Sequence, residues 1–178
     1  KVIVWGGVGA GGAFGDGFEI VLTVPNYSSI SMTGSPEPRS GHTAISTGDK
    51  MLIWGGKKNQ GQLYSDGFIY DPSNDTWSPM STVNAPSARE NHVSVWTGDE
   101  MLIIAGLGLA GVLSDSHAYN PETDSWRQLK GSVGPRYNSN AVWTGQHVLV
   151  FGGDDGQKSI AAPVKLNPDP AVSLYVKE

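Results

Sequence analysis

Three arginines recur along the chain at intervals of roughly 50 residues, at Arg39, Arg89 and Arg136. A guanidinium group presents a planar fork of N–H donors that can bind a carboxylate in bidentate fashion. If the fold brings these side chains together, they could hold a carboxylate ligand or an acidic peptide. The alternative is structural, because a buried arginine is usually paired with an acidic side chain or a carbonyl of its own protein. The residues alone leave both roles open.

Histidines and aspartates offer a second kind of chemistry. His42 and His92 each follow an arginine by three residues, but Ser139 stands at the third equivalent position. Because no carboxylate accompanies them at a fixed spacing, this pattern does not predict a metal site. Asp154 and Asp155 precede a glycine, as in part of a calcium loop, but the alternating oxygen ligands of such a loop are lacking. We therefore expect a solvated turn there, and neither a metal ion nor another cofactor.

The composition excludes several other functions. The 178 residues include no cysteine, which excludes disulfides, thiolate metal sites and cysteine nucleophiles within them. The formal net charge is -5 and the 12 basic residues are scattered, so no nucleic-acid surface is predicted. No apolar run approaches the roughly 18 to 20 residues of a membrane helix, so membrane insertion is not expected. The chain begins at Lys1 rather than Met, from which we expect a processed or truncated N-terminus.

The elements that would position these residues follow from an internal repeat. An apolar run that ends in small residues, mostly a glycine pair, returns in four copies, at residues 2–7, 51–56, 101–106 and 148–153. Similar steps separate three aspartates and three aromatic residues, namely Asp16, Asp66, Asp115, Tyr27, Trp77 and Trp126. Such regular intervals indicate one structural unit that is repeated along the chain.

Each unit is predicted to contain four short strands, which we name a to d in chain order. Strand a follows the arginine and, in the two central copies, ends in a Gly-Asp pair typical of a tight hairpin. Strand b is the apolar run, and its lack of alternation predicts burial on both faces. Strand c ends before Pro72 or Pro121, because proline does not continue a paired ladder. Strand d carries Trp77 or Trp126, which we expect to pack between units rather than to bind sugars.

The order Arg-x-x-His, an apolar run ending in Gly-Gly, then Asp, Tyr-Asp-Pro and Trp resembles the Kelch repeat, whose period is about 50 residues. The resemblance implies an all-β fold of Kelch-type β-propeller blades, each with four antiparallel strands. We assign a single propeller region, residues 1–178, with about four blades: a partial blade at 1–34, blades at 35–81 and 82–131, and a partial blade at 132–178. The third copy departs from the pattern at Ala105, which replaces a glycine.

The strand count predicts an incomplete ring. The first copy supplies strands b to d, the two central copies supply all four, and the last supplies a to c. Residues 171–178 offer one further strand, either d of the last blade or a of the first, so one strand is still missing. Kelch propellers typically close with about six or seven blades, and an open array exposes apolar faces. We therefore expect additional blades from the same chain or from another chain.

In an up-and-down blade, the b–c and d–a connections emerge on one face of the propeller, which we call the loop face. The b–c connections vary between copies, and variable loops on a rigid scaffold are where recognition usually resides. The predicted binding residues are Arg39, Arg89, Glu90, Arg136, Tyr137, Lys57, Lys58, Leu107, Leu109, Asp154 and Asp155. We expect a protein partner or an acidic ligand there, since the resemblance implies that Kelch adaptors bind acidic segments through arginines in such loops.

The predicted function is a non-catalytic binding or assembly module. One alternative is a carbohydrate-active Kelch enzyme of the sialic acid mutarotase type, for which Glu90 is the candidate acid–base group. Another is a structural subunit of a cell-surface assembly. Kelch copper radical oxidases need a cysteine, which these residues lack. The segment 88–103 is similar to Kelch arrays of exported bacterial proteins, which implies an extracellular or cell-surface location in a bacterium, with the cytoplasm as the alternative.

Overall fold

The computed structural model describes residues 1–23, 26–59 and 61–168. The first blade contains β1 (Val2–Trp5), β2 (Val8–Gly9), β3 (Gly12–Ala13), β4 (Gly17–Val21) and β5 (Asn26–Ser29). The second contains β6 (Thr43–Ser46), β7 (Met51–Trp54), β8 (Gly67–Asp71) and β9 (Thr76–Pro79). The third contains β10 (Arg89–Glu90), β11 (Val93–Trp96), β12 (Met101–Gly108), β13 (Gly111–Asn120) and β14 (Ser125–Gln128). The fourth contains β15 (Asn140–Trp143), β16 (Val148–Phe151) and β17 (Val164–Leu166).

The second and third blades confirm the predicted unit of four antiparallel strands. In the second blade, β6, β7, β8 and β9 pair in chain order as strands a to d. The third blade keeps this order, and the short strand β10 pairs additionally with the end of β12. The inner strand β11 packs beside both β6 and β15, so the a strands of neighbouring blades lie together. Among the described residues there is no helix that could cross a membrane.

Among the described residues, the outer blades each contain three of the four strands a to d. The first blade pairs β1, β4 and β5 as strands b to d, and the fourth pairs β15, β16 and β17 as strands a to c. A short hairpin of β2 and β3 fills the b–c connection of the first blade. The segment 171–178, which we expected to supply one further strand, lies outside the described residues.

The core lies between the blades rather than within any one of them. All four residues of β7 are buried: Leu52 and Trp54 pack towards the third blade, while Met51 and Ile53 pack towards the first. A third cluster joins the third and fourth blades. Burying one such aliphatic side chain contributes about 1.5–3 kcal/mol. The b strands therefore lack alternation because both of their faces are covered, which confirms the expectation from sequence.

The repeated tryptophans fasten each central blade to the blade before it. Trp77 and Trp126 are buried, and each ring meets a tryptophan of the preceding blade edge-on at 5.8 Å between centroids. Their Nε1–H groups donate to backbone carbonyls of the preceding blade, at Ser31 and Ser81, over 2.8 Å in both cases. The packing role predicted for these two residues is confirmed. Tyr27, at the same position in the first blade, is 74% exposed.

The two ends of the array leave apolar side chains uncovered. Val4 of β1 is 49% exposed, whereas its counterpart Ile53 in the second blade is fully buried. At the other end, Phe151 of β16 is 44% exposed, whereas its counterpart Trp54 is fully buried. Each of the two end strands therefore has one covered face and one open face.

Ala105 and Ser139, two departures from the repeat, occupy one interface. Ala105 has a left-handed φ of 56°, close to the 67° of Gly55 at the same position in the second blade. A Cβ atom on Gly55 would lie 2.9 Å from the ring of His92 in the next blade. In the fourth blade the counterpart of His92 is Ser139, which is smaller. The small serine thus leaves room for the methyl group of Ala105.

We expect Ser139→His to lower the free energy of unfolding by about 1–3 kcal/mol, because the imidazole would overlap the Ala105 methyl group. In the Ala105→Gly background the same change should cost markedly less. Urea unfolding of the two single variants and the double variant measures this coupling. An equal cost of Ser139→His in both backgrounds would contradict the steric explanation.

Candidate binding face

The loop face is built from four b–c connections that differ in shape. The first contains the hairpin of β2 and β3, and the third is a hairpin in which β12 and β13 stay paired up to Gly108 and Gly111. Variable loops were expected for the b–c connections, and in the third blade a paired hairpin stands there instead. A two-residue turn, Leu109 and Ala110, closes the hairpin, and Gly111 takes a positive φ of 122°. The glycines on either side of that turn were the sequence signal for a hairpin.

Arg39 and Arg89 are buried in their own blades. The Arg39 guanidinium donates to Asp66 Oδ1 at 2.7 Å and to the carbonyl of Gly55 at 3.1 Å. The Arg89 guanidinium donates to both carboxylate oxygens of Asp115, at 2.9 and 2.8 Å. Each arginine therefore ties strand b to strand c, through Gly55 and Asp66 in the second blade and through Ala105 and Asp115 in the third. This geometry corresponds to the structural alternative, and these two side chains do not converge on a shared ligand position.

The backbone of the same arginines joins neighbouring blades. The carbonyl of Arg39 accepts the N–H of Gly7 at 3.0 Å, and the carbonyl of Arg89 accepts the N–H of Gly56 at 2.8 Å. In both cases the donor is the second glycine of the preceding blade. Both glycines take a positive φ, 106° at Gly7 and 92° at Gly56, a backbone conformation that favours glycine at these positions.

Arg136 is buried like the other two arginines but is bonded differently. Its Nη2 donates to the carbonyl of Val133. Within the described ranges its Nε and Nη1 have no hydrogen-bond partner. Burial lowers the pKa of this guanidinium from its ordinary value. Arg136 is thus the repeat arginine whose bonding capacity is not filled by its own blade.

Five other predicted residues form two separate sets of contacts at the bases of the b–c connections. Glu90 pairs with Leu107 between β10 and β12, and Tyr137 exchanges backbone hydrogen bonds with Asp154 at 3.0 Å. Lys57 Nζ lies 2.9 Å from Glu90 Oε2, which links the second blade to the third. Since the Glu90 carboxylate is buried in this ion pair, its geometry does not favour an acid–base role.

The remaining predicted residues lie at the tips of the connections. Leu109 is 90% exposed at the end of the third hairpin, and Lys58 is exposed 3.8 Å from a carboxylate oxygen of Glu37. Asp155 Oδ1 accepts the N–H groups of Gln157 and Lys158 at 2.9 Å, so this carboxylate caps its own turn. The tips therefore carry the accessible part of the predicted site.

Two exposed apolar residues were missed by the sequence analysis. Val8 and Phe14 belong to the b–c connection of the first blade and are both exposed. Asn59 of the second blade holds this hairpin in place, because its Oδ1 accepts the N–H of Ala13 at 2.7 Å. The glycine-rich segment 9–12 was a hairpin signal that could have drawn attention to them.

A protein-family model described as the KLHDC2/KLHL20/DRC7 Kelch-repeats domain matches residues 1–169. The chain belongs to the Kelch-repeat family. Comparison with curated proteins gave no match. Kelch domains generally mediate protein–protein interaction, so this Kelch domain is, in general terms, a binding module. The predicted resemblance and the all-β blade architecture are both confirmed.

Two histidines of the Kelch domain, His42 and His92, each meet a tryptophan of the preceding blade edge-on. Burial, with a contribution from Arg89, lowers the pKa of His92 to about 3, and burial together with Arg39 lowers the pKa of His42 to about 4. His92 Nε2 lies 2.8 Å from Thr43 Oγ1, and its ring meets Trp54 edge-on. No group of three His, Asp or Glu residues in the described part of the chain is arranged to hold a metal ion.

We expect the Kelch domain to lose stability as the pH falls from about 6.5 towards 4, because the unfolded chain binds protons on its histidines in this range while the native state does not. Between pH 6.5 and 5.0, each histidine that stays neutral in the native state should lower the free energy of unfolding by roughly 1.5 kcal/mol. Urea unfolding across this range measures the loss.

The matched variant is His92→Ser, which copies the residue type of the fourth blade. Its absolute stability should be lower, but its pH dependence should be shallower by the contribution of one histidine. Parallel pH profiles of the parent and the variant would show that His92 does not titrate as described.

Proposed function

We propose that this Kelch domain is a non-catalytic binding or assembly module that recognises a protein partner through its loop face. The observation that carries the proposal is the 90% exposure of Leu109 at the tip of the third hairpin. Val8 and Phe14 give the connection of the first blade the same exposed apolar character. Exposed apolar side chains on one face of a protein commonly mark contact surfaces.

The paired strands beneath Leu109 hold this residue in place, so little conformational entropy is lost when it binds a partner. Strands β12 and β13 stay paired up to the turn, and β10 pairs with the free side of β12. A side chain held on such a three-stranded platform needs little ordering when it binds. The ion pair between Lys57 and Glu90 lies at the base of this platform and offers charge beside the apolar tip. We infer a partner surface that combines an apolar pocket with polar groups.

Replacing Leu109 with Ser should weaken partner binding about tenfold or more, since burial of a leucine side chain at an interface contributes more than about 1.4 kcal/mol. Thermal stability should be unchanged, because the side chain contacts solvent. The measurement is quantitative mass spectrometry of the proteins retained from an extract of the source organism by the parent and by the variant.

The matched control is Leu22→Ser, because Leu22 is also exposed but follows strand c of the first blade and lies on the opposite face. The control should retain the same proteins as the parent. If Leu109→Ser retains them equally well, or if Leu22→Ser loses them, the loop face is not the recognition surface.

We also propose that further blades, from the same or another chain, cover the two open ends of the array. At the first end, Val4, Phe18, Ile20 and Tyr27 line an apolar groove. The equivalent face of the second blade is covered by the first blade. At the other end of the array, Phe151 of the fourth blade is likewise exposed. Continuity with the existing interfaces supports a blade as the occupant. The predicted extracellular or cell-surface location in a bacterium stays a prediction.

Sedimentation equilibrium of the purified 178-residue chain tests this completion. We expect self-association to a mass above 18.8 kDa through end-to-end contacts, and a shift towards the monomer for Val4→Asp. Leu22→Asp, which adds the same charge in the c–d turn, should leave the association unchanged. A monodisperse monomer at all concentrations would contradict the proposal.

A further inference from the structure

The first blade carries the aspartate of the repeat but no arginine to pair with it. Asp16 is the counterpart of Asp66, because its carbonyl accepts the N–H of Gly6 just as the carbonyl of Asp66 accepts the N–H of Gly55. Asp66 forms an ion pair with Arg39 at 2.7 Å. The Asp16 side chain is exposed, and within the described ranges no basic side chain forms a salt bridge with it.

Two aromatic residues accompany this carboxylate, as they do in the second blade. There, the guanidinium carbon of Arg39 lies 4.1 Å from the centre of the Tyr64 ring and 5.8 Å from that of Phe68. Phe14 and Phe18 stand at the same two positions in the first blade, as matching backbone hydrogen bonds and strand pairs show. They are 48% and 37% exposed. Aromatic faces attract guanidinium groups.

A backbone carbonyl completes the set of groups. The Arg39 guanidinium donates to the carbonyl of Gly55 at 3.1 Å, and Gly6 is the counterpart of Gly55. The first blade thus repeats the carboxylate, the carbonyl and the ring positions that surround Arg39 in the second. A guanidinium is planar, always charged and rich in N–H donors, so it matches these groups better than a compact ammonium does.

The chain itself does not supply this guanidinium. Its four arginines all bond to other groups, and residues 171–178 contain no arginine. The four bonds join Arg39 to Asp66, Arg89 to Asp115, Arg127 to Glu100 and Arg136 to the carbonyl of Val133. Because a second copy of these residues would have its arginines engaged in the same way, the guanidinium must come from a different polypeptide segment.

The edge of β1 shows how such a segment would deliver an arginine. Among the described residues β1 pairs with β4 alone, whereas β7 of the second blade pairs with both β6 and β8. A cavity of about 560 Å³ lies beside this edge, between β1 and β6, and its lining includes Val2 and Ala44. An unpaired strand edge accepts an extended segment through backbone hydrogen bonds. Since Arg39 lies shortly before β6, a segment paired with β1 in the same way would bring its arginine to Asp16.

We propose that Asp16, Phe18 and the carbonyl of Gly6 form a binding site for the guanidinium of an arginine carried by an extended polypeptide segment that pairs with β1. The carboxylate would accept hydrogen bonds from the guanidinium fork, as Asp66 does from Arg39. This inference rests on the proposed completion of the array and names the side chain that the completing segment brings.

The test is a titration of the 178-residue chain with a peptide that copies residues 38–46, in which Arg39 precedes the sequence of β6. The backbone amide signals of Asp16 and Phe18 should shift saturably in ¹⁵N-correlated NMR spectra. The Arg39→Gln version of the peptide should bind at least tenfold more weakly, because it keeps the strand and loses the charge. Equal binding of the two peptides would overturn the proposal.

N-acetyl-arginine amide separates the arginine from the segment that carries it. The peptide should bind at least tenfold more tightly than this amide, because only the peptide can also pair with β1. If the amide binds as tightly as the peptide, the site takes a small guanidinium compound, and the extended segment is the part of the proposal that is overturned.

The decisive variant of the protein is Asp16→Asn, which removes the charge at an exposed position. It should weaken peptide binding at least tenfold and leave the thermal midpoint unchanged. Asp99→Asn makes the same change at an exposed aspartate in the a–b turn of the third blade and should leave binding unchanged. Undiminished binding by Asp16→Asn would overturn the proposal. Self-association through Val4 is measured without peptide, so a failure of the completed array and a failure of the guanidinium site are distinguishable.

Discussion

Each blade is a sheet with two apolar faces, and the rest of the structure depends on covering both of them. In β7 and β12 this requirement is met, and the b strands are buried throughout their common length. No blade of four short strands encloses a core of its own, so stability is shared between neighbours, as in other repeat architectures. The tryptophans at positions 77 and 126 add directional bonds to this contact, since each donates to a carbonyl of the preceding blade.

Two of the repeat arginines, Arg39 and Arg89, belong to the scaffold, because their guanidinium groups bond within their own blades. The guanidinium groups of Arg39 and Arg89 hold strand b against strand c within their blades, below the b–c connection. The buried strands therefore stay in place while the connections above them differ between blades. This explains how one connection can be a hairpin with an exposed leucine while another is an irregular loop that carries lysines.

Departures from the repeat change the surroundings of other repeat positions. Ala105 stands where glycine is usual, and Ser139 stands where the next blade would otherwise bring a histidine against it. Ala162 stands where aspartate is usual, and it is Arg136 of the same blade that is left without an acceptor among the described residues. The first pair relieves a steric conflict and preserves the interface. The second leaves two buried donors of a guanidinium without an acceptor among the described residues.

The sequence by itself determined the blade, because period, apolar runs and turn residues are local features that repetition makes visible. It placed the strands, predicted the buried tryptophans and indicated which connections vary. Only the tertiary structure decided which charged residues are accessible. Arg39, Arg89 and Arg136 look alike in sequence, yet their roles depend on whether a carboxylate from a distant part of the chain reaches the guanidinium. That distance in space is set by strand register, which the spacing of residues along the chain does not reveal.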